Sequence, residues 1–150
     1  MNKIKYFIAP PSKSTCWIVV PISYLLFLQL LTGIPQPISL EEMNVDEIWL
    51  SFSEEIFSYP YWLQDLSHLP LFFVFAWLWA WYLGPVTISK KLIKNRCFHI
   101  CWLYACFNEL TQFLVPMRFP SAGDLFMNLL GVILGLTFHS LCSSRKIIHM

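Results

Sequence analysis

The sequence predicts an all-α membrane protein with four transmembrane helices, and two observations lead to that prediction. First, 57% of the residues are hydrophobic and only 13% are charged, whereas soluble domains are about 25% charged. Second, the apolar residues come in long blocks instead of alternating with polar ones. Crossing a bilayer takes roughly 20 residues of helix, and four blocks are long enough. We interpret residues 1–150 as a single membrane domain.

The four predicted spans occupy about residues 16–34, 69–88, 97–115 and 125–142. The first follows a basic segment, as the core of a signal peptide does. It is longer than such a core, however, and no A-x-A cleavage pattern follows it, so we expect a retained span. The second span contains no charged residue. Pro116 and Pro120 end the third span and restrict its connection to the fourth.

The positive charges predict that both termini lie in the cytoplasm. The ten Lys and Arg residues lie before span 1, between spans 2 and 3, or after span 4, with the single exception of Arg118. Cytoplasmic loops of membrane proteins are rich in Lys and Arg. The predicted topology is therefore N-in and C-in.

The first loop, residues 35–68, is acidic and is predicted to face the outside. It contains most of the acidic residues of the chain and no Lys or Arg. Ser39 and Glu42 form a capping-box pattern, and apolar residues follow them at helical spacing. Two interpretations stay open for this loop: an interfacial amphipathic helix or a loosely structured acidic segment.

The sequence predicts no metal or cofactor site and no basic surface for nucleic acid. The five cysteines lie in or at the ends of the spans and form no CxxC pair. Cys97, Cys101 and Cys106 are close to His99 in the chain, but a zinc site needs converging ligands. We interpret the cysteines as small apolar helix residues.

Polar side chains concentrate at the end of span 3 and in the loop that follows it. Glu109 and Gln112 are one helical turn apart and therefore share a face. Glu109 is expected roughly 9 Å inside the outer end of its helix, where burying a charge is costly and calls for a partner. Arg118 is the candidate partner, because its planar guanidinium matches a carboxylate or a phosphate.

Span 4 begins with a face that carries polar and small residues. Asp124, Asn128, Gly131 and Gly135 follow one another at i, i+4, i+7 and i+11, which places them on one side of a helix. Glycines at this spacing let two membrane helices approach closely. We expect this face to pack on span 3, beside Glu109, and we expect Asp124 to cap the helix N-terminus.

His68 lies at the outer start of span 2, three residues after Asp65. The topology brings it to the same extracytoplasmic end as the polar residues of spans 3 and 4. Structural roles explain the same residues: Asp124 as a cap, His68 as an interfacial side chain, and Glu109 with Arg118 as an ion pair. An ionisable residue inside a span is nevertheless a candidate for function.

These residues resemble the pattern of the VanZ-like family of small bacterial membrane proteins. In that pattern a Glu, two residues and a Gln precede a Pro and an Arg, and an Asp, an Asn and spaced glycines follow. Here the pattern reads Glu109, Gln112, Pro116, Arg118, Asp124, Asn128, Gly131 and Gly135. Asp65 and His68 are similar to a further family motif, from which a Lys is missing here. The resemblance covers about residues 65–138.

The resemblance implies a multi-pass protein of the bacterial cytoplasmic membrane with a role in the cell envelope. The family is named for a protein associated with low-level resistance to teicoplanin, a lipid-bearing glycopeptide antibiotic. Family resemblance supplies no reaction. Gly131 and Gly135 suit packing within one chain or between copies, so the oligomeric state stays open.

Three functions are compatible with the sequence. The leading hypothesis is an outer pocket that binds the anionic or polar headgroup of a lipid-linked envelope component or amphiphile. Its residues are His68, Glu109, Gln112, Arg118, Asp124 and Asn128, with Arg118 holding the anion. The first alternative is an enzyme that acts on a lipid-linked substrate, with His68 or Glu109 as the acid–base group. The second is a structural or assembly protein whose polar cluster only locks the helices together.

Overall fold

The structure is a computed structural model that describes residues 4–12, 14–32, 62–84, 95–112, 114 and 120–148. A short helix α1 (Ile4–Ile8) and a 3-10 turn (Thr15–Ile18) precede α2 (Val19–Thr32). The longer helices are α3 (Trp62–Leu83), α4 (Arg96–Gln112) and α5 (Ala122–Ile148). The predicted all-α class is confirmed for the described part of the chain.

Among the residues that the structure describes, three helical segments are long and apolar enough to cross a membrane: Thr15–Thr32, Leu66–Leu83 and Ala122–Ser144. Helix α4 has 17 residues and is not among them, so the span at 97–115 stays a prediction, as does the N-in and C-in orientation. Residues 33–61, which hold most of the acidic loop and its candidate helix, lie outside the described residues, as do residues 85–94.

Helix α3 begins and ends earlier than the apolar block predicted. It starts at Trp62 instead of residue 69 and continues through Pro70, because membrane helices tolerate a proline whose freed carbonyl finds other partners. Its end lies at Leu83 instead of residue 88. Gly84 follows with a φ of 104°, a left-handed conformation that glycine adopts without a Cβ clash and that commonly ends helices.

Helix α5 begins with a serine cap. The Oγ atom of Ser121 accepts hydrogen bonds from the backbone N–H groups of Gly123 (3.1 Å) and Asp124 (3.2 Å). This is the N-cap geometry. Asp124 therefore lies in the first helical turn, and the expectation that Asp124 caps the helix was wrong. Its carboxylate is directed instead toward another helix.

The long helices alternate in direction. Trp17 packs against Trp81, and Tyr24, further along the chain, donates a hydrogen bond to the carbonyl of Leu71, so α2 and α3 are antiparallel. Helix α4 runs parallel to α2, because Tyr104 contacts Leu25 and Thr111 contacts Gln29. Helix α5 runs parallel to α3, because Gly131 faces Leu69 and Gly135 faces Ala76. The C-terminal ends of α2 and α4 therefore lie with the N-terminal ends of α3 and α5.

The core combines aromatic side chains of α3 and α4 with small residues that let the helices approach. The rings of Phe75 and Tyr104 are 4.9 Å apart between centroids, a separation at which aromatic pairs attract each other. Cys97 and Cys101 are buried in the same core and are free thiols. Large apolar side chains cover the outside of the helices, among them Leu26, Leu30, Leu103, Leu110 and Phe126. In a bilayer these residues contact lipid.

Candidate functional site

His68 links α3 to α5 through both of its ring nitrogens. Its Nδ1 atom lies 3.0 Å from Oδ1 of Asn128, and its Nε2 atom lies 3.5 Å from Oδ1 of Asp124. Because an amide oxygen only accepts, Nδ1 carries the proton and donates to Asn128. Asp124 forms an ion pair with the ring when Nε2 is also protonated. His68 and Asn128 are both buried, so His68 lies between two helices and not at a rim.

The glycines of α5 make this link possible by bringing the two backbones together. A Cβ atom on Gly131 would overlap the carbonyl oxygen of Leu69, and one on Gly135 would overlap the carbonyl oxygen of Phe73. The face of α5 that carries Asn128 and the glycines therefore packs on α3. We expected it to pack on span 3, which corresponds to α4, and that expectation was wrong.

A second buried polar group lies on the last turns of α4. Asn108, Glu109, Thr111 and Gln112 are all buried there, although the adjacent Leu110 is exposed. A burial of this kind is costly for amides and carboxylates unless they have polar partners. Glu109 and Gln112 are two of the residues that the sequence singled out, and both are directed into the bundle.

Helix α2 supplies partners for α4 that sequence reasoning missed. The hydroxyl of Thr32 donates to Oδ1 of Asn108 at 2.9 Å, and Nε2 of Gln29 donates to the hydroxyl of Thr111 at 3.3 Å. The signal was present in the sequence, because Gln29 and Thr32 are one turn apart near the end of an apolar span. Polar residues at this spacing in a membrane helix commonly form hydrogen bonds with a neighbouring helix.

Three side-chain amides at this end of the bundle keep an unused hydrogen-bond donor. The amide nitrogens of Asn108, Gln112 and Asn128 are buried and have no hydrogen-bond partner among the residues that the structure describes. Buried donors are normally satisfied, and in a low-dielectric interior each bond they form is strong. This end of the bundle therefore contains three buried amide nitrogens that can still donate hydrogen bonds.

All these residues lie at one end of the helix bundle. Gln112 is the last residue of α4, Asp124 is in the first turn of α5, and His68 is near the N-terminal end of α3. The structure brings His68, Asp124 and Asn128 into direct contact and places Glu109 and Gln112 at the same end. Arg118, the predicted partner of Glu109, lies outside the described residues.

A comparison with protein-family models identifies the chain. The model described as VanZ/LLP1 matches residues 20–143, which is more than half of the sequence. The chain belongs to the VanZ/LLP1 family. No curated protein and no solved structure matches it.

The match to the VanZ/LLP1 model confirms the resemblance inferred from the motif residues and extends it. We drew that resemblance over residues 65–138, whereas the family model also covers α2. Every candidate residue from His68 to Gly135 lies inside the matched region. The family and the apolar helices together fit a membrane protein of the VanZ-like type that contacts lipid.

The candidate site contains hydrogen-bond donors and carboxylates. In the described part of the chain, no group of three or more His, Cys, Asp or Glu side chains is placed to hold a metal ion. Buried amide nitrogens suit phosphate, carboxylate or sugar oxygens, which accept several hydrogen bonds at once. We therefore treat this end of the bundle as a candidate binding site for a polar headgroup.

Proposed function

We propose that this VanZ/LLP1 protein binds the polar or anionic headgroup of a lipid-linked envelope component or amphiphile at the outer face of the bacterial cytoplasmic membrane. The observation that carries the proposal is the set of three buried amide nitrogens, on Asn108, Gln112 and Asn128, at one end of the bundle. Arg118, on the following loop in the sequence, supplies the positive charge that an anionic headgroup requires. Resistance to an amphiphilic glycopeptide such as teicoplanin is a compatible outcome of such binding.

The proposed site separates two tasks among its residues. His68 and Asp124 fix the position of α3 against α5 and orient the amide of Asn128. The hydroxyl of Thr32 donates a hydrogen bond to the amide oxygen of Asn108, so the amide nitrogen of Asn108 points away from Thr32. The amides of Asn108 and Asn128 are thus oriented by neighbours before a ligand arrives, which lowers the entropic cost of binding. Arg118 then holds the anion through the N–H groups of its guanidinium.

The geometry of His68 favours binding over acid–base catalysis. A general base must reach the proton that it removes within about 3.2 Å. Both ring nitrogens of His68 instead face protein oxygens, those of Asn128 and Asp124. In the enzymatic alternative, Glu109 is therefore a better candidate than His68 for the acid–base group. It predicts turnover of a lipid-linked substrate, whereas the binding proposal predicts none.

The proposal is tested by binding of a polyprenyl phosphate to the full chain in phosphatidylcholine nanodiscs, with the matching polyprenol as the uncharged control lipid. We expect the phosphate to bind at least tenfold more tightly than the alcohol, because hydrogen bonds to a charged group contribute about 1.5–3 kcal/mol. Gln112→Leu and Arg118→Ala should each weaken phosphate binding by about tenfold or more. Ser144→Ala, which removes an exposed hydroxyl near the other end of α5, should have no effect.

Each outcome of this experiment has one meaning. Equal affinity for the phosphate and the alcohol, or unchanged phosphate binding by folded Gln112→Leu and Arg118→Ala proteins, would contradict the proposal. Variants that lose abundance and function in the same proportion would support the structural alternative. Conversion of the phosphate to the alcohol by the wild-type protein would support the enzymatic one.

A further inference from the structure

A groove at the opposite end of the bundle is lined almost entirely by apolar side chains. It has a volume of about 390 Å³ and runs between α1, α2, α3 and α5, where Phe7, Val74, Trp77, Leu78 and Phe138 form much of its wall. Val74, Leu78 and Phe138 belong to segments that are apolar enough to cross a membrane. Val74 and Phe138 are exposed on the outside of the bundle, so in a bilayer the groove would open toward the hydrocarbon region.

Helix α1 forms one wall of this groove and is fixed there by two hydrogen bonds. Nε1 of Trp81 donates to the carbonyl of Tyr6 at 2.8 Å, and Nε2 of the buried His139 donates to the carbonyl of Ile8 at 2.9 Å. Phe7 packs on Trp77 with 4.8 Å between ring centroids. Because these contacts set the position of α1, the groove exists before anything occupies it.

A second cavity of about 380 Å³ adjoins the groove and is lined partly by hydroxyl groups. Trp81 lines both cavities, and Ser12, Ser14 and Thr15 line the second one. The hydroxyl of Ser12 accepts a hydrogen bond from Nε1 of Trp17 at 3.0 Å, and the hydroxyl of Ser14 accepts one from the backbone N–H of Cys16 at 3.3 Å. Each serine thereby keeps its own O–H to donate to a ligand oxygen.

The positive charge of the N-terminal segment favours a lipid with an anionic headgroup. The first 40 residues contain three lysines and no acidic residue, and Ser12 and Ser14 of the second cavity belong to that basic segment. A basic segment at a membrane surface attracts anionic lipids, with a contribution of about fivefold in affinity per charge. An acceptor-rich, negatively charged headgroup is therefore favoured over a zwitterionic one.

We propose that the two adjoining cavities form one binding site for an anionic glycerophospholipid. An acyl chain fills the apolar groove beside Val74 and Phe138, and the phosphate lies at the hydroxyls of Ser12 and Ser14. Trp81 lies where the chain joins the headgroup, which is the position that tryptophan prefers at membrane interfaces. This site is at the other end of the bundle from His68. Its existence does not depend on the headgroup binding proposed above.

Native mass spectrometry of the full chain, released from nanodiscs of equal parts phosphatidylglycerol and phosphatidylcholine, tests this site. The wild type should retain one phosphatidylglycerol in preference to phosphatidylcholine. Ser12→Asp should lower that preference about fivefold, whereas Ser12→Asn should preserve it. Both replacements keep an acceptor for the indole N–H of Trp17, so they differ chiefly in charge.

The apolar part of the site has its own matched pair of variants. Val74→Phe narrows the groove and should reduce retained phosphatidylglycerol about tenfold, because displacing two methylene groups costs about that much. Leu103→Phe enlarges an exposed apolar side chain on α4, outside the groove, and should leave retention unchanged. Retention of neither lipid by the wild type, equal retention of both, or an equal effect of the two Phe variants would overturn the proposal.

Discussion

The close packing of α5 on α3 predicts that adding one methyl group at Gly131 destabilises the protein. In Gly131→Ala the new Cβ would overlap the carbonyl oxygen of Leu69 and lie 3.0 Å from the backbone nitrogen of Phe73 and 3.1 Å from Cβ of Phe72. None of these atoms is the end of a flexible side chain, so none can move aside by itself. Relief therefore requires α3 and α5 to separate.

The size of the effect follows from two opposing contributions. Overpacking a well-packed contact costs about 1–3 kcal/mol, and we take the upper end because backbone is the obstacle. Alanine regains about 1 kcal/mol through its higher helix propensity. The net loss for Gly131→Ala is about 2 kcal/mol, which is roughly a 30-fold change in the unfolding equilibrium. Gly135→Ala should behave alike, and the double variant should lose less than the sum because both contacts involve Phe73.

The same separation would disturb the candidate site. To restore normal contact distances around the new Cβ, α3 and α5 must move apart by on the order of 1 Å. Nδ1 of His68 on α3 lies 3.0 Å from Oδ1 of Asn128 on α5. The hydrogen bond between these two atoms would lengthen beyond the normal hydrogen-bond distance. Gly131→Ala should therefore weaken headgroup binding at the proposed site beside His68 and Asn128, even under conditions where the protein remains folded.

Equilibrium unfolding in mixed micelles of increasing SDS content, followed by circular dichroism, measures the stability change. Gly84→Ala is the control glycine, because a Cβ there meets nothing within 4 Å and only the φ of 104° is strained. It should cost about 1–2 kcal/mol without affecting the contact between His68 and Asn128. A Gly131→Ala protein at least as stable as the wild type would refute the reasoning.

Three further predictions follow from individual contacts. Thr32→Val preserves the shape of the side chain but removes the hydroxyl that is bonded to Asn108. It should lower the free energy of unfolding by about 0.6–2 kcal/mol in the same micelle assay, and an unchanged value would show that this bond is dispensable. Ser121→Ala should cost about 1 kcal/mol through loss of the cap of α5, and Ser121→Asp should restore most of it, which circular dichroism on both proteins would check. The charge exchange Glu109→Arg with Arg118→Glu should restore abundance relative to either single change but not headgroup binding; recovery of binding as well would favour a purely structural pair.

The sequence was sufficient for the fold class because crossing a bilayer imposes a length and a composition that can be read directly. The ends of the helices were harder to predict from the sequence. Helix α3 extends upstream of Pro70, and α5 starts at Ala122, directly after its cap residue Ser121. A proline inside an apolar block does not by itself end a membrane helix, and the start of α5 is set by a serine hydroxyl that caps it.

The partners of the site residues were harder to predict than the residues themselves. The spacing of Gly131 and Gly135 showed that α5 packs closely on something, but spacing on one helix contains no information about which neighbour it meets. Adjacency in the chain suggested α4, whereas the structure places α3 there. The bond between Thr32 and Asn108 joins residues 76 positions apart, and such pairings depend on the packing of the whole bundle.

The most direct test of the binding site is a measurement of distance between the ligand and the buried amides. Solid-state NMR on full-length protein with ¹⁵N-labelled Asn and Gln side chains, in nanodiscs that contain a polyprenyl phosphate, detects coupling between ³¹P and ¹⁵N. We predict that the side-chain nitrogens of Gln112 and Asn128 lie within about 4 Å of the phosphorus, as a hydrogen bond to a phosphate oxygen requires. Bound phosphate that couples to neither nitrogen would contradict the account.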